Sequence, residues 1–323
     1  MKKICVIGSS GYIGSSIVDK LASRYNVIAH SRNKNHQNIK IFKYVKGDLK
    51  NKKTIEKIAR LKPEFIVYAA SYNHFKSEKS LENTLRNNNY PLINLCNKLR
   101  KNKNFCKLIY FSSFQVFGDY QKIDIVNEET NKNPNNFYGL SHSLNEEYLK
   151  ILKKKYNLQF DIIRLTNAYG FPKLKSCDCW WLVINDFCKN VVNNNKIEIK
   201  SNGKAFRNFI NLDDVSNFVE LILKNNKSSE VYNLASDETI QIKGLAKEVV
   251  KSFDFKKNFK GPKLIIQNKN QNIQKIKLEN PKFKIDTKKL KKIGFRTKVK
   301  LKKGLKMLLK ELYKEKIKNE LKY

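Results

Sequence analysis

The stretch Gly8-Ser9-Ser10-Gly11-Tyr12-Ile13-Gly14 carries the strongest fold signal in this chain of 323 residues. It follows the apolar run Ile4–Ile7, which predicts a buried strand, and it precedes the helical pattern Ser15–Tyr25. Glycines at this point let a phosphate approach the backbone, and the following helix offers N–H groups and a positive dipole end. We therefore expect a pyrophosphate-binding loop. The residues expected to contribute to it are Gly8, Ser10, Gly11, Tyr12, Ile13 and Gly14.

Strand-like and helix-like segments alternate through the first half of the chain. Phe65–Ala70 is continuously apolar, as expected of a strand buried on both faces, and Lys107–Ser112 also has the character of a strand. Ser141–Tyr156 has a helical pattern. The alternation predicts an α/β fold with a doubly wound parallel sheet and right-handed crossovers.

The regular alternation loosens after residue 170, which predicts a smaller C-terminal α+β lobe for substrate binding. We expect residues 1–170 to form the dinucleotide-binding domain and residues 171–323 to be mainly the second lobe. Return segments near 208–235 are expected to rejoin the first domain, because Val231–Leu234 has the character of another sheet strand. Leu301–Leu321 predicts a last helix that packs one leucine-rich face against the core.

The composition is strongly basic, with 66 Lys and Arg against 29 Asp and Glu and a formal net charge of +37. The lysines are spread along the whole chain and form no dense patch, so we interpret the excess as a compositional bias. A preference for anionic ligands is the alternative interpretation. We expect no nucleic-acid partner and no membrane partner.

The cysteines and the apolar segments bear on the cellular compartment. Cys5 and Cys96 lie in strand-like and helix-like segments, and Cys106 directly precedes a strand. Cys177 and Cys179 are two residues apart and show no zinc-ligand spacing, so we expect reduced thiols and no metal. No apolar stretch reaches membrane-spanning length, and glycines interrupt the first apolar run. These features favour a soluble protein of the cytoplasm.

The segment after the second predicted strand bears on the dinucleotide. An NAD site usually has a carboxylate here for the ribose diol, whereas this chain has Ser31, Arg32 and Lys34. These side chains suit a 2′-phosphate, so NADP(H) is favoured and NAD(H) stays possible. Alternatively, Arg32 is an ordinary surface cation. Asp48 and Leu49 follow the third strand and are candidates to lie beside the adenine, although a plain turn carboxylate explains Asp48 nearly as well.

A candidate acid/base pair lies at the start of the helix that follows the predicted strand Lys107–Ser112. Tyr138 and His142 are four residues apart and therefore share a helix face, and Ser113 ends the preceding strand. A phenol can exchange a proton with a sugar hydroxyl or ketone, a neighbouring cation lowers its pKa, and a serine can bond the same oxygen. A buried structural tyrosine is the alternative.

Taken together, these motifs resemble the extended short-chain dehydrogenase/reductases, and within them the NAD(P)-dependent epimerase/dehydratase family that acts on nucleotide sugars. The resemblance spans nearly the whole chain and includes Arg164–Gly170, Arg207–Val215, Tyr232–Ser236 and Asp286–Phe295. It implies a Rossmann domain, a nucleotide-sugar substrate and a homodimer.

The resemblance also implies roles for individual residues. Ser113 matches the catalytic Ser/Thr, and Tyr138 matches the catalytic Tyr. His142 stands where the family has a lysine that contacts the nicotinamide ribose, so it would contact the cofactor as well. Three interpretations stay open: His142 is a working substitute for the lysine, it reduces turnover, or the protein has lost catalysis. Other candidates lie in, or next to, the segments that carry the resemblance. They are Ala69, Ala70 and Asn88 for contact with the cofactor, and His74, Asn167 and Arg207 for contact with the substrate.

The residues after Ser113 narrow the expected reaction. The resemblance implies that 4,6-dehydratases of the family carry an Asp-Glu or Ser-Glu pair at this point, whereas this chain has Phe114 and Gln115, which disfavours dehydration. A 4-epimerase or 4-ketoreductase in cell-surface polysaccharide biosynthesis is the expected function. The alternative is a cofactor-binding, catalytically weak protein with a regulatory or interaction role.

Overall fold

The computed structural model describes residues 1–33, 39–101, 106–224, 229–253, 262–267, 269–271, 277–281 and 283–320. Seven parallel strands form its central sheet. Across the sheet they are β3 (Lys43–Lys46), β2 (Asn26–Ser31), β1 (Lys3–Ile7), β4 (Phe65–Tyr68), β5 (Lys107–Ser113), β7 (Phe160–Leu165) and β11 (Glu230–Leu234). The strand order reverses between β1 and β4, where a parallel sheet opens a crevice at the carboxyl ends of its strands.

Helices cover both faces of this sheet. The helices of the described residues are α1 (Tyr12–Leu21), α2 (Lys52–Arg60), α3 (His74–Ser77), α4 (Leu81–Thr84), α5 (Tyr90–Lys101), α6 (Phe137–Tyr156), α7 (Val183–Asn194), α8 (Leu212–Lys224), α9 (Ile242–Ser252), α10 (Lys288–Lys292) and α11 (Leu301–Glu320). A π-helical turn, Leu85–Asn89, joins α4 to α5, and two 3-10 turns span Phe114–Phe117 and Tyr120–Lys122.

The two faces of the sheet belong to two apolar clusters. Ile4 and Val6 of β1 share a cluster with α1 and α8, whereas Cys5 and Ile7 share one with α2, α5 and α6. This division arises because successive side chains of a strand point to opposite faces. The predicted α/β fold with a parallel sheet covered on both faces is confirmed.

Smaller sheets and further helices complete the fold. The short strands are β6 (Ile125–Val126), β8 (Asn167–Tyr169), β9 (Lys196–Ile199), β10 (Phe206–Asn211), β12 (Thr239–Gln241), β13 (Lys263–Ile266), β14 (Lys269–Gln271) and β15 (Lys284–Ile285). β10 lies between β8 and β12, β13 lies between β9 and β14, and β15 pairs with β6. The helices α7, α9 and α11 form a third apolar cluster, in which the leucine-rich face of α11 is buried as predicted.

The chain returns to the large sheet after the region around residue 170. β11 pairs with β7, and α8 packs on α1, where the hydroxyls of Ser16 and Ser216 lie 2.9 Å apart. These contacts are consistent with return segments near 208–235. The division into domains at residue 170 stays a prediction.

Two helices begin earlier than their apolar patterns predict. α1 begins at Tyr12 rather than Ser15, and α6 begins at Phe137 rather than Ser141. The side chain of Asn136 caps α6 by accepting a hydrogen bond from the backbone N–H of Gly139 at 2.7 Å. The earlier start places Tyr138 in the first turn of α6, on the same helix as His142.

A buried carboxylate attaches α6 to the sheet. Glu146 is fully buried and accepts hydrogen bonds from the Ser112 hydroxyl at 2.6 Å and from Nη2 of Arg164 at 2.9 Å. Nζ of Lys132 lies 3.3 Å from the same carboxylate. Burial alone would raise the pKa of Glu146, but Arg164, Lys132 and Ser112 outweigh it, so the pKa lies below its ordinary value. The bonds of Glu146 therefore join α6, β5 and β7.

We expect Glu146→Ala to lower the free energy of unfolding by about 3–5 kcal/mol, because it leaves Arg164 as a buried charge with no carboxylate partner. The neighbouring Glu147 is half exposed, and Glu147→Ala should cost less than about 1 kcal/mol. Urea unfolding at pH 7 measures both. The stabilisation by Glu146 is present above its ordinary pKa and is lost as the pH falls through its lower native pKa. Equal losses in the two variants would contradict the assignment.

Candidate active site

The glycine-rich loop lies at the carboxyl end of β1. Its backbone is held by the N–H groups of Gly8 and Ser9, which both donate to the carbonyl of His30 at 3.0 and 2.9 Å. Gly8 has φ +81°, and a Cβ atom on Gly14 would lie 2.1 Å from the Gly8 carbonyl oxygen. A side chain at Gly14 would therefore push helix and loop apart. The loop Gly8–Gly14 is therefore a cradle whose close packing against α1 leaves no space for a Cβ atom at Gly14.

The first turn of α1 opens onto this loop. Gly11 occupies the N-cap position and provides no side-chain cap for the backbone N–H groups that follow it. Such uncapped N–H groups, together with the helix dipole, suit a phosphate. The Tyr12 hydroxyl is used elsewhere: it donates to the Gly170 carbonyl at 2.7 Å and accepts from Asn185 at 3.1 Å. Only the backbone of Tyr12 is therefore suited to the predicted role.

The predicted adenosine end lies beyond β2 and β3. The Ser31 hydroxyl is buried, donates to the Asn33 carbonyl at 2.6 Å and lies 2.8 Å from the Tyr44 hydroxyl. Arg32 is exposed, and Lys34 lies outside the described residues. Asp48 accepts the backbone N–H of Lys50 at 2.8 Å, which is the geometry of a turn carboxylate.

The other cofactor candidates lie around β4. The N–H of Ala69 donates to Ile7 at 3.0 Å, so Ala69 and Ala70 directly adjoin the glycine loop. Asn88 is buried, accepts from the Tyr72 N–H at 2.7 Å and donates to the Ser141 hydroxyl at 3.1 Å. Leu49 is also buried. The contacts of Asn88 attach the segment after β4 to α6, and its contact with a cofactor stays a prediction.

Ser113 and Tyr138 meet at the carboxyl end of β5. The Tyr138 phenol lies beside the hydroxyls of Ser113 and Ser71. Burial raises the pKa of Tyr138 above its ordinary value, although both serine contacts act to lower it. Tyr138 is therefore a protonated phenol at neutral pH.

His142 lies one turn further along α6, beneath Tyr138. Its ring is 4.6 Å from the Tyr138 ring, centroid to centroid, at an interplanar angle of 76°. Nδ1 lies 2.7 Å from the Tyr110 hydroxyl of β5. Burial lowers the pKa of His142 to about 4, although Glu146 acts to raise it. His142 is therefore neutral at pH 7 and does not supply the cation expected at this position.

The three predicted substrate residues lie around two parts of the fold. The ring centroid of His74 is 6.4 Å from that of Tyr138, and its Nδ1 is 3.8 Å from the Glu78 carboxylate. Asn167 of β8 donates to the Asn208 carbonyl at 2.9 Å, and Arg207 of β10 donates to the Phe206 carbonyl at 2.8 Å. The geometry thus brings His74 close to Tyr138, while Asn167 and Arg207 lie on adjacent small-sheet strands.

The six cysteines are free and buried. The Cys177 thiol lies 3.7 Å from the Ser15 hydroxyl, and burial raises the pKa values of Cys177 and Cys179. These thiols are therefore poor nucleophiles. Among the described residues, no group of His, Cys, Asp or Glu could hold a metal ion, and no helix has the length and apolarity of a membrane span.

Sequence reasoning missed Ser71 and Tyr110. Ser71 directly follows the Ala69-Ala70 strand end, so its position was the available signal. Tyr110 lies inside an apolar strand pattern that gives no indication of a hydrogen bond to His142. Both residues reach the site only because β4, β5 and α6 converge there.

The parallel sheet with a glycine-rich loop after its first strand is typical of dinucleotide-dependent enzymes, and a family comparison agrees with this class. The chain belongs to the NAD dependent epimerase/dehydratase family, whose model matches residues 4–235. Its relatives include epimerases and dehydratases that act on nucleotide sugars.

Two relatives illustrate this range. A candidate UDP-glucose 4-epimerase of Methanocaldococcus jannaschii is 28% identical over 95% of this chain and 97% of its own length. A dTDP-D-glucose 4,6-dehydratase of Dictyostelium discoideum is 26% identical over 77% of this chain, and the match spans 62% of that protein.

Solved structures share the whole fold. The UDP-glucose 4-epimerase of Thermotoga maritima with UDP-glucose has a TM-score of 0.78 at 22% identity, covering 98% of this chain and 99% of that one. The Thermus thermophilus UDP-glucose 4-epimerase with NAD has a TM-score of 0.79 at 20% identity, covering 96% and 98%. RMD from Pseudomonas aeruginosa with NADPH has a TM-score of 0.77 at 16% identity, covering 98% and 100%.

We expect Gly14→Ala to abolish dinucleotide binding, because the added Cβ atom would lie 2.1 Å from the Gly8 carbonyl oxygen. Gly244 of α9 is a matched control, since its nearest contacts lie at ordinary distances from 3.4 Å. Gly244→Ala should leave binding unchanged and stabilise the helix by up to about 1 kcal/mol. Fluorescence titration with NADH and NADPH, paired with thermal unfolding, measures both effects. Undiminished binding by Gly14→Ala would contradict the cradle.

Proposed function

We propose that the protein is an NAD(P)-dependent nucleotide-sugar oxidoreductase of the 4-epimerase or 4-ketoreductase type. The observation that carries this proposal is the Tyr138 phenol, which lies beside the Ser113 hydroxyl at the carboxyl end of β5. A nicotinamide dinucleotide, when bound, supplies the hydride acceptor or donor. Tyr138 would exchange a proton with the sugar oxygen, and Ser113 would hydrogen-bond the same oxygen.

The residues that would hold the dinucleotide are those of the cradle. The backbone of the loop Gly8–Gly14 and the first turn of α1 suit the pyrophosphate, for the steric and dipole reasons given above. Ala69 and Ala70 would lie against the ligand because they adjoin the loop. His74, Asn167 and Arg207 are proposed to contact the nucleotide sugar.

The side chains after Ser113 favour a reaction without dehydration. Phe114 is buried in an apolar cluster and has no group that can transfer a proton. The neighbouring Gln115 is an amide, which has no titratable proton in the ordinary pH range. Removal of water from a sugar needs an acid and a base near the leaving group, and these two positions supply neither.

The proposed setting is the cytoplasm, in cell-surface polysaccharide biosynthesis, and the proposed assembly is a homodimer. The helices α5 and α6 carry exposed apolar side chains, namely Tyr90, Leu144, Ile151 and Tyr156. A second copy of the chain would cover these side chains, and burying them would favour association. Neither a nucleic acid nor a membrane is a proposed partner.

We expect Tyr138→Phe to lower turnover by about 10²–10⁴-fold, because it removes the proton that the sugar oxygen exchanges. Tyr148→Phe is the matched control: Tyr148 lies on the same helix, and its hydroxyl has no hydrogen-bond partner within the described structure. Dinucleotide affinity should be unchanged in both variants.

The assay offers UDP- and dTDP-hexoses and their 4-keto derivatives with NADH or NADPH. A 4-epimerase interconverts the C4 epimers without net consumption of dinucleotide, whereas a 4-ketoreductase oxidises one NADPH or NADH for each ketone reduced. Turnover by Tyr138→Phe at the wild-type rate would refute the proposal. Absence of turnover by wild-type protein that binds dinucleotide would support the catalytically weak alternative, which the comparisons do not favour.

We propose a preference for NADPH, supported by the exposed cation Arg32 after β2. A charge-assisted bond to a 2′-phosphate contributes about 1.5–3 kcal/mol, so Arg32→Asp should weaken NADPH binding by about 10–100-fold and spare NADH. Arg100→Asp makes the same charge change at the end of α5, where Arg100 stacks on Tyr156. Fluorescence titration of both variants tests this, and equal affinity of the wild type for NADH and NADPH would remove the inference.

A further inference from the structure

Arg207 of β10 is a half-buried guanidinium whose contacts leave its charge in place. Its Nη1 donates to the Phe206 carbonyl at 2.8 Å, and the Tyr120 hydroxyl lies beside the guanidinium group. Both of these partners are uncharged. By contrast, the buried Arg164 is paired with the Glu146 carboxylate at 2.9 Å, whereas no carboxylate of the described chain forms an ion pair with Arg207. A partly accessible guanidinium without a counter-ion suits an anionic ligand.

The Tyr120 phenol is a partner that does not neutralise this charge. A guanidinium can only donate hydrogen bonds, so the Tyr120 oxygen is the acceptor in a contact between the two groups. Burial raises the pKa of Tyr120, although Arg207 acts to lower it, so the phenol is neutral at pH 7. A carboxylate at the same place would neutralise the guanidinium and repel an anion. A phenol therefore restrains the arginine and leaves its charge available.

The Tyr120 ring is itself held by two phenylalanines. Its centroid lies 4.9 Å from that of Phe114 at an interplanar angle of 84°, and 5.5 Å from that of Phe283 at 78°. Both contacts have the edge-to-face geometry that aromatic pairs prefer. The next residue, Gln121, attaches the same 3-10 turn to β10, because its Oε1 accepts the backbone N–H of Phe206 at 3.2 Å. The turn is therefore fixed against the strand that carries the arginine.

Phe114 connects this support to the reacting end of the site. It directly follows Ser113, the last residue of β5, and its side chain is buried. Phe114 also occupies one of the two positions where an acidic pair is expected in dehydratases. In this chain the position carries a ring that packs on Tyr120 instead. The placement of Arg207 relative to Ser113 thus depends on the contacts of these two rings.

We propose that Tyr120 is a positioning residue, which holds the Arg207 guanidinium in place for the diphosphate of the nucleotide sugar without neutralising it. The proposal rests on the proposed function, in which Arg207 contacts the nucleotide sugar. The diphosphate is the anionic part of such a substrate, and its oxygens match the N–H fork of a guanidinium. Tyr120 acts through Arg207 and has no part in the transfer of hydride or proton.

NMR of the arginine side chains tests the positioning without any ligand. The chain has eight arginines, and Arg207→Leu identifies the Nε–H signal of Arg207. We expect this group to be rigid in the wild type and its order parameter to fall below about 0.6 in Tyr120→Phe. That variant keeps the ring that packs on Phe114 and Phe283 and removes only the hydroxyl. Equal order in the wild type and Tyr120→Phe would overturn the proposal.

Tyr148→Phe is the matched control for the same spectra. It also removes one phenolic hydroxyl, but this hydroxyl lies on α6 and has no hydrogen-bond partner among the described residues. The order parameter of Arg207 should be unchanged in this variant. An equal loss of order in Tyr148→Phe and Tyr120→Phe would overturn the assignment of Tyr120 as the residue that holds Arg207.

Calorimetric binding of UDP and dTDP tests the ligand. We expect Arg207→Leu to weaken binding by about 10–100-fold, because it removes charge-assisted bonds, and Tyr120→Phe to weaken it by about 3–10-fold. In the Arg207→Leu background, Tyr120→Phe should change the affinity by less than about twofold, since its effect passes through the guanidinium. Losses that add in the double variant would overturn the proposal. The affinities for NADPH and NADH should be unchanged in Tyr120→Phe.

Turnover separates positioning from a part in the chemistry. In Tyr120→Phe, KM for the nucleotide sugar should rise by about 3–10-fold while kcat stays within about twofold of the wild type. A lower kcat at unchanged KM would overturn the proposal. Wild-type protein that binds neither UDP nor dTDP would overturn the assignment to a diphosphate together with the proposed function. The order parameter of Arg207 would then still decide whether Tyr120 positions it.

Discussion

The site depends on the buried carboxylate of Glu146. Its contacts with Ser112 and Arg164 hold α6 against β5 and β7, so the helix that carries Tyr138 cannot slide along the sheet without breaking them. Ser112 is adjacent to Ser113, which makes the same anchor determine the distance between the serine and tyrosine hydroxyls. Removing one partner of a buried ion pair strongly destabilises the folded protein, whereas the intact pair contributes little net stability. This difference suits an ion pair whose role is to position α6 on the sheet.

Above this anchor, the site consists of neutral groups. Tyr138 is a phenol, and His142 is an uncharged imidazole whose Nδ1 lies 2.7 Å from the Tyr110 hydroxyl. A cation next to Tyr138 would favour the tyrosinate, which accepts a proton during oxidation of a sugar hydroxyl. A neutral neighbour favours the phenol, which donates a proton during reduction of a ketone. The neutral state of His142 is therefore consistent with a protonated Tyr138 phenol.

Local sequence patterns were sufficient to predict features that depend on the backbone alone. The glycine loop was predictable because close packing of helix and strand excludes side chains at Gly8 and Gly14, whatever surrounds them. The first residues of helices were harder to predict from the sequence, because α6 begins after its Asn136 cap, upstream of its apolar pattern. Ser31 looked suited to a phosphate, yet its hydroxyl already contacts Asn33 and Tyr44. Such partners depend on which strands are neighbours.

The amino-acid sequence by itself determined the α/β class, the parallel sheet, the glycine-rich loop and the family, because these depend on local periodicity and on residue types at short spacing. Only the tertiary structure decided the state of the site. It placed Ser71 and Tyr110 beside residues distant in the chain, and it removed water from His142, so that a residue expected as a cation is neutral. Charge and tautomer depend on solvation and on hydrogen-bond partners, and both are settled only when separate elements pack together.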